Sequence, residues 1–111
     1  MAQLRAPEEI ISAPLTEKID VYSLGNVFYS ILTGLLVNGD YTTSQAHSRI
    51  VHGKTEDIDV SYFESRSQAE YALVKIIQLC WTYDAEDRPS IFDIVALLEN
   101  ELKSLTKNSS R

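Results

Sequence analysis

The chain has 111 residues, 44% apolar and 23% charged, with 10 Lys and Arg against 16 Asp and Glu for a formal net charge of −6 at pH 7. That is the composition of one soluble globular domain able to bury a core, and it excludes the concentrated Lys and Arg face needed by a nucleic-acid binder. Its single cysteine, Cys80, excludes an internal disulfide and, with no secretory signal at the start, points to an intracellular, cytoplasmic protein. Without an export signal, the glycosylation pattern Asn108-Ser109-Ser110 reads as a chance match.

Arg5-Ala6-Pro7-Glu8-Glu9-Ile10 announces a short helix. Proline is favoured at the first helical position, and carboxylates in the first turn face the positive end of the helix dipole. Ser12-Ala13-Pro14 breaks it. The stretch 19–37 then forms the centre of the chain. It carries no charge after Asp20, and Val21, Leu24, Val27, Phe28, Ile31, Leu32 and Leu35 fall all round a helical wheel. Such a helix is expected to be buried on most of its circumference. Asp20 is expected as its N-cap and Gly34 as its left-handed stop. A membrane span would need about 20 mostly apolar residues. This run is shorter, includes Ser23, Asn26, Ser30 and Thr33, and lacks flanking Lys or Arg clusters. It reads as a core helix, and the chain as having no membrane partner.

Asn38-Gly39-Asp40 has turn chemistry. Thr43-Ser44 is expected to cap a short helix that runs to about His52 and is ended by Gly53. Residues 55–64 follow neither helical nor strand periodicity and read as a loop ordered by Ile58, Val60, Tyr62 and Phe63. Ser67-Gln68-Ala69-Glu70 is a capping box, and behind it Ala69, Leu73, Ile76, Ile77 and Cys80 recur at helical spacing. Ser90, with Asp93 three residues on, is expected to cap the last helix, whose apolar stripe is Ile91, Ile94, Val95, Leu98 and Leu102. Residues 1–105 therefore read as one all-α unit of four to five helices around one buried central helix, and 106–111 as a frayed, disordered tail.

The chain contains no glycine-rich phosphate loop, nucleophile elbow, or Cys and His cluster at metal spacing. His47 and His52, five residues apart, do not share a helical face and read as packing or solvated side chains, since zinc needs three or four ligands. Asp84, Glu86 and Asp87 read as a solvated acidic loop. No catalytic, cofactor-binding or metal-ligating residue is assigned.

Four pieces in a fixed order carry more information: Ala6-Pro7-Glu8, Asp20-Val21-Tyr22-Ser23-Leu24-Gly25, Cys80-Trp81 and Asp87-Arg88-Pro89-Ser90. Together they resemble the C-terminal half of the large lobe of a eukaryotic protein kinase domain, from the end of the activation segment to the last helix. The Cys-Trp and Arg-Pro-Ser wording is nearest to the tyrosine kinase-like and tyrosine kinase branches. The resemblance implies that Glu8 pairs with Arg88, a guanidinium fork on a carboxylate, pinning the activation segment's end to the lobe. It implies that Asp20, besides capping, accepts backbone N–H groups of the catalytic loop, and that Trp81 packs in the core. Leu4 and Arg5 would border the pocket for the residue after the phosphoacceptor. Met1 stands where serine/threonine kinases carry a threonine, so acceptor preference is not legible.

Two departures from the family pattern stand out. Asp84-Ala85 replaces the usual Asp-Pro, loosening a turn. Leu35-Leu36-Val37-Asn38 replaces the usual Pro-Phe or Pro-Trp pair, which bears on how the short helix after it docks. The nucleotide loop, small-lobe lysine and catalytic and magnesium-binding aspartates of the family precede the Ala-Pro-Glu motif. Two readings follow. In the first, the chain is a fragment of a kinase that transfers the γ-phosphate of ATP to Ser/Thr, or Tyr, of protein substrates. The 111 residues alone, lacking those motifs, would then be inactive and hold no cofactor; ATP and magnesium would belong to the complete domain, and the partners would be a protein substrate or the missing N-terminal part. In the second, it is a non-catalytic helical interaction or scaffold module.

Overall fold

The computed structural model describes residues 4–58 and 68–109, with side chains to 105. Five helices and no strand are formed among the described residues: α1 (Pro7–Ile10), α2 (Lys18–Thr33), α3 (Thr43–Val51), α4 (Gln68–Cys80) and α5 (Ile91–Ser109). The expected all-α architecture around a central helix is what is found.

The central helix, α2, packs chiefly on α4, while α5 lies on α4 and touches the N-terminal half of α2 through Val21 and Leu24. Two apolar clusters result. Tyr22 and Tyr29 of α2 meet Ala6, Val37, Ile77 and Trp81, with Leu4, Leu32, Ile58 and Leu73 packed alongside. Val21 meets Ile76, Cys80 and Ile94, backed by Leu24, Leu97 and Leu98. Phe28 belongs to the edge of both. The closest approach is at Gly25, where an added Cβ would stand 2.7 Å from Cys80 Cβ and 3.1 Å from the Trp81 ring. A glycine there lets α2 and α4 come together at backbone distance.

Several expectations are corrected. Asp20 is not the N-cap of α2: that position falls three residues earlier, at Glu17, and the helix begins at Lys18. Thr16 Oγ1 accepts the Lys18 amide, and the Thr16 and Glu17 carbonyls accept those of Ile19 and Asp20. Asp20 therefore lies within the first turn, exposed, where its charge still favours the helix dipole. α2 stops where expected, at Gly34 with φ 75°. Its circumference is less covered than the apolar wheel suggests, with Val27 52% and Ile31 70% exposed, because no described element packs on that side. The cap of α3 is Thr42 rather than Thr43 or Ser44, in a reciprocal box with Gln45. On α5, Ser90 and Asp93 form the expected box. Its buried edge, however, is Ile94 with Leu97 and Leu98, while Ile91, Val95 and Leu102 face outward. The backbone stays helical through Ser109, past the point where fraying is expected.

Gly53 ends α3 with φ 76°, and Asn38 takes φ 55° in the turn before it. Ile58 packs inward as expected. Val60, Tyr62, Phe63 and the capping Ser67 lie outside the described residues, as do Met1 and the end of the tail.

Candidate functional site

The site is built from three short segments far apart in sequence. Ala6 is extended, Pro7 opens α1, and Glu9 Oε1 accepts the Ala6 amide at 2.8 Å, a side chain-to-backbone lock that fixes the helix start. With Glu9 turned back, Glu8 points inward. After α1 the chain reverses through Ser12, at φ 58°, and the Ala13 amide returns to the Glu8 carbonyl. The second segment is the turn 84–88, closed by Asp87 and Arg88 amides on the Asp84 carbonyl. Pro89 and the Ser90 cap then force the chain into α5, which leaves Arg88 aimed back at α1. The third is the first turn of α2.

Arg88 is 1% exposed and Glu8 5%. The guanidinium holds the carboxylate in a two-point grip, Nη1 to Oε2 at 2.7 Å and Nη2 to Oε1 at 3.0 Å. Its other three donors are also used: Nε on the Thr82 carbonyl at 2.8 Å, Nη1 on that of Lys18 at 2.8 Å, and Nη2 on that of Tyr83 at 3.0 Å. All five N–H groups of the fork are therefore satisfied. The Tyr22 ring lies 5.0 Å beneath the guanidinium carbon. Lys18 completes the knot by donating Nζ to the carbonyls of Ala85, at 3.1 Å, and Arg88.

Burial pushes the Glu8 carboxyl up, but the Arg88 hydrogen bonds, its own backbone amide and the guanidinium charge together outweigh that and hold it below its usual value of 4.5. Burial drives the Tyr22 phenol up to about 12 and the Cys80 thiol up to about 11, in both cases against a smaller opposing pull from Arg88. Cys80 is thus a packed apolar group rather than a nucleophile.

Trp81 is buried, stacked at 45° on Tyr29 with ring centroids 5.5 Å apart. Its indole N–H donates to Asn26 Oδ1 at 2.8 Å, and Asn26 Nδ2 donates to the Leu4 carbonyl at 2.9 Å. Leu4, half-buried, is tied to the core through that relay and rims a cavity of about 440 Å³ with Ser23, Val27, Ile31 and Leu36. Arg5 is exposed.

The structure brings together Glu8 and Arg88, and links Leu4 to Trp81. Asp20 joins neither group; its carboxylate bonds no described residue. Sequence reasoning missed Lys18 and Asn26. Lys18 sits among polar loop residues with no signal of burial, whereas Asn26, an amide inside an otherwise apolar helix, carries such a signal. His47 and His52 do not converge: His52 Nδ1 bonds the Ser48 carbonyl at 2.7 Å, and His47 Nε2 is buried with no partner. Among the described residues no three His, Cys, Asp or Glu side chains gather to hold a metal ion. No described helix is long and apolar enough to cross a membrane.

A buried, fully bonded Glu–Arg pair joining a segment's end to the base of a helical core is the arrangement implied by the motif order. Residues 2–98 match the model of the protein kinase domain. The chain is 32% identical over 102 residues to a probable serine/threonine-protein kinase of Dictyostelium discoideum, covering 92% of this chain and 8% of that protein. It is 35% identical over 94 residues to the serine/threonine/tyrosine-protein kinase HT1 of Arabidopsis thaliana, covering 85% and 23%. Among solved structures, the twitchin kinase region from C. elegans superposes with a TM-score of 0.70 at 23% identity, over 88% of this chain and 16% of that one. The chain belongs to the protein kinase domain family and is a partial, all-helical piece of that domain. It spans less than a quarter of the length of these relatives.

Proposed function

We propose that the chain is the C-terminal half of the large lobe of a kinase whose complete form transfers the γ-phosphate of ATP to Ser/Thr, or Tyr, hydroxyls of protein substrates, and that the 111 residues alone are inactive. The observation that carries this reading is the buried two-point Glu8–Arg88 grip, with all five guanidinium donors used. In the complete domain it ties the end of the activation segment to the lobe. Leu4 and Arg5, just ahead of α1, border the pocket for the residue after the phosphoacceptor, and the Asn26–Leu4 bond sets the height of that rim. Asp20, exposed and unbonded to described residues, is free to accept catalytic-loop amides. ATP and magnesium bind outside these residues, and the protein substrate bridges both parts.

The test is a phosphotransfer assay with γ-labelled ATP, magnesium and a mixed-sequence protein substrate, run on the isolated chain and on the protein encoded by its gene together with all upstream coding sequence. No transfer by the first and transfer by the second is expected. Transfer by the isolated chain, or upstream sequence without the family's lysine and aspartate motifs, would overturn the proposal.

A second reading, a non-catalytic interaction module, is favoured by one observation: Val27 and Ile31 of α2 and the following Leu35 and Leu36 are more than half exposed, and apolar surface of that kind marks partner sites. A monodisperse, cooperatively melting chain in sedimentation and circular dichroism supports it; aggregation removes it.

A further inference from the structure

A groove of about 580 Å³ lies on the outer side of the Glu8–Arg88 knot, between the reversal after α1 and the turn 84–88. Its apolar lining is Ile11 and Pro14, set over the buried Pro7. Ile11 is 49% exposed there, held out by the left-handed Ser12 that follows it. The rim is acidic: Glu17, Asp84, Glu86 and Asp87 are all exposed, and none of their carboxylates forms a hydrogen bond or ion pair with a described residue. The lining cation, Lys18, has its ammonium turned onto the carbonyls of Ala85 and Arg88 and not onto a carboxylate. Glu8, at the inner wall, is neutralised by Arg88.

The groove does not end at Asp87. A second one of about 580 Å³ shares Lys18, Glu86 and Asp87 with it and runs on past Pro89 to Asp93 of α5. The four carboxylates thus line a furrow made of two adjoining grooves that share Glu86 and Asp87. No three of them converge to hold a metal ion, so a point charge does not fit. An extended chain with several cations and apolar side chains does, since it matches both the spread acidic rim and the apolar lining.

We propose that this furrow docks a basic segment of a partner protein, in which Lys or Arg side chains meet Glu17, Asp84, Glu86 and Asp87 while an apolar side chain seats against Ile11 and Pro14. The surface is separate from the Leu4–Arg5 rim, so the proposal does not depend on the activity of the complete domain. Four carboxylates against the one ammonium of Lys18 leave the surface a net negative field, which steers a cationic partner toward it and weakens with salt.

The probe is a fluorescein-labelled heptapeptide in which Arg and Lys alternate with Leu, titrated with the full chain and followed by fluorescence anisotropy. Saturable binding that weakens with salt is expected. Glu86→Gln with Asp87→Asn, at the point shared by both grooves, is expected to weaken it about tenfold. Asp57→Asn with Glu99→Gln removes the same number of charges elsewhere and is expected to change it less than about twofold. Replacing each Leu of the peptide by Ser is expected to abolish saturation. Absence of saturable binding by the unaltered chain, equal losses in the two double variants, or undiminished binding of the Ser peptide would each overturn the proposal.

Discussion

Arg88 is committed at every donor of its side chain: five donors, five acceptors, and an aromatic ring beneath. Removing it strands the Glu8 carboxylate and three backbone carbonyls in a buried site, so Arg88→Ala is expected to lose about 3–5 kcal/mol of stability, measured by urea unfolding. Arg88→Lys keeps the charge but offers one compact ammonium for five acceptors, and is expected to recover less than half of that loss. The Glu8 carboxyl is depressed below 4.5 in the folded protein. Because the folded state favours the ionised form, its contribution is present at neutral pH and disappears as pH falls through 4.5 toward the lower folded value. Thermal stability is expected to drop over that acid range, and the drop is expected to be shallower in Glu8→Gln, which is less stable at pH 7 but has lost the titrating group. Equal acid slopes for the two proteins would remove this account.

At the scale of elements, what joins α2 to its neighbours is close approach and backbone capture. Gly25 has no room for a side chain against Cys80 and Trp81. Gly25→Ala is therefore expected to cost about 1–3 kcal/mol in the same unfolding assay, although alanine favours an isolated helix. Lys18 holds the turn 84–88 against the start of α2 through two carbonyls. Lys18→Met, which keeps most of the stem and removes the donors, is expected to cost about 1–3 kcal/mol, because the two carbonyls lose their partner in a partly buried site. The α5 start illustrates a purely local device: Ser90 and Asp93 satisfy each other's amides in the expected reciprocal box.

At the scale of the whole molecule, α2 is covered by α4 and α5 on one side, and no described element packs on the Val27–Ile31 side. Cys80, fully buried with its thiol raised to about 11, is a built-in reporter of how α2 and α4 hold together. Its alkylation at pH 8 is expected to proceed only through opening of the α2–α4 contact, and to speed up in Gly25→Ala and Arg88→Ala in proportion to their loss of stability. Rapid labelling of the unaltered chain would mean that the pair opens freely without cover on the Val27–Ile31 face.

The sequence by itself determined the elements and the family. Apolar periodicity, Pro7 at a helix start, Gly34 and Gly53 at helix ends and the Ser90–Asp93 box are local signals, read within a few residues of where they act. The four motifs in order were enough to pair Glu8 with Arg88 across 80 positions. Other features were decided only by the tertiary structure. Apolar content does not say which side of α2 finds a neighbour, so Val27 and Ile31 read as core and are exposed, and the buried edge of α5 shifts toward Leu97. The start of α2 fell at Glu17 rather than Asp20, with Thr16 Oγ1 taking the Lys18 amide, a choice that capping preference alone does not make. Lys18 and Asn26 became structural only when folding brought loose carbonyls within reach of their donors, since the need for a hydrogen bond arises from burial and burial is a property of the assembled fold.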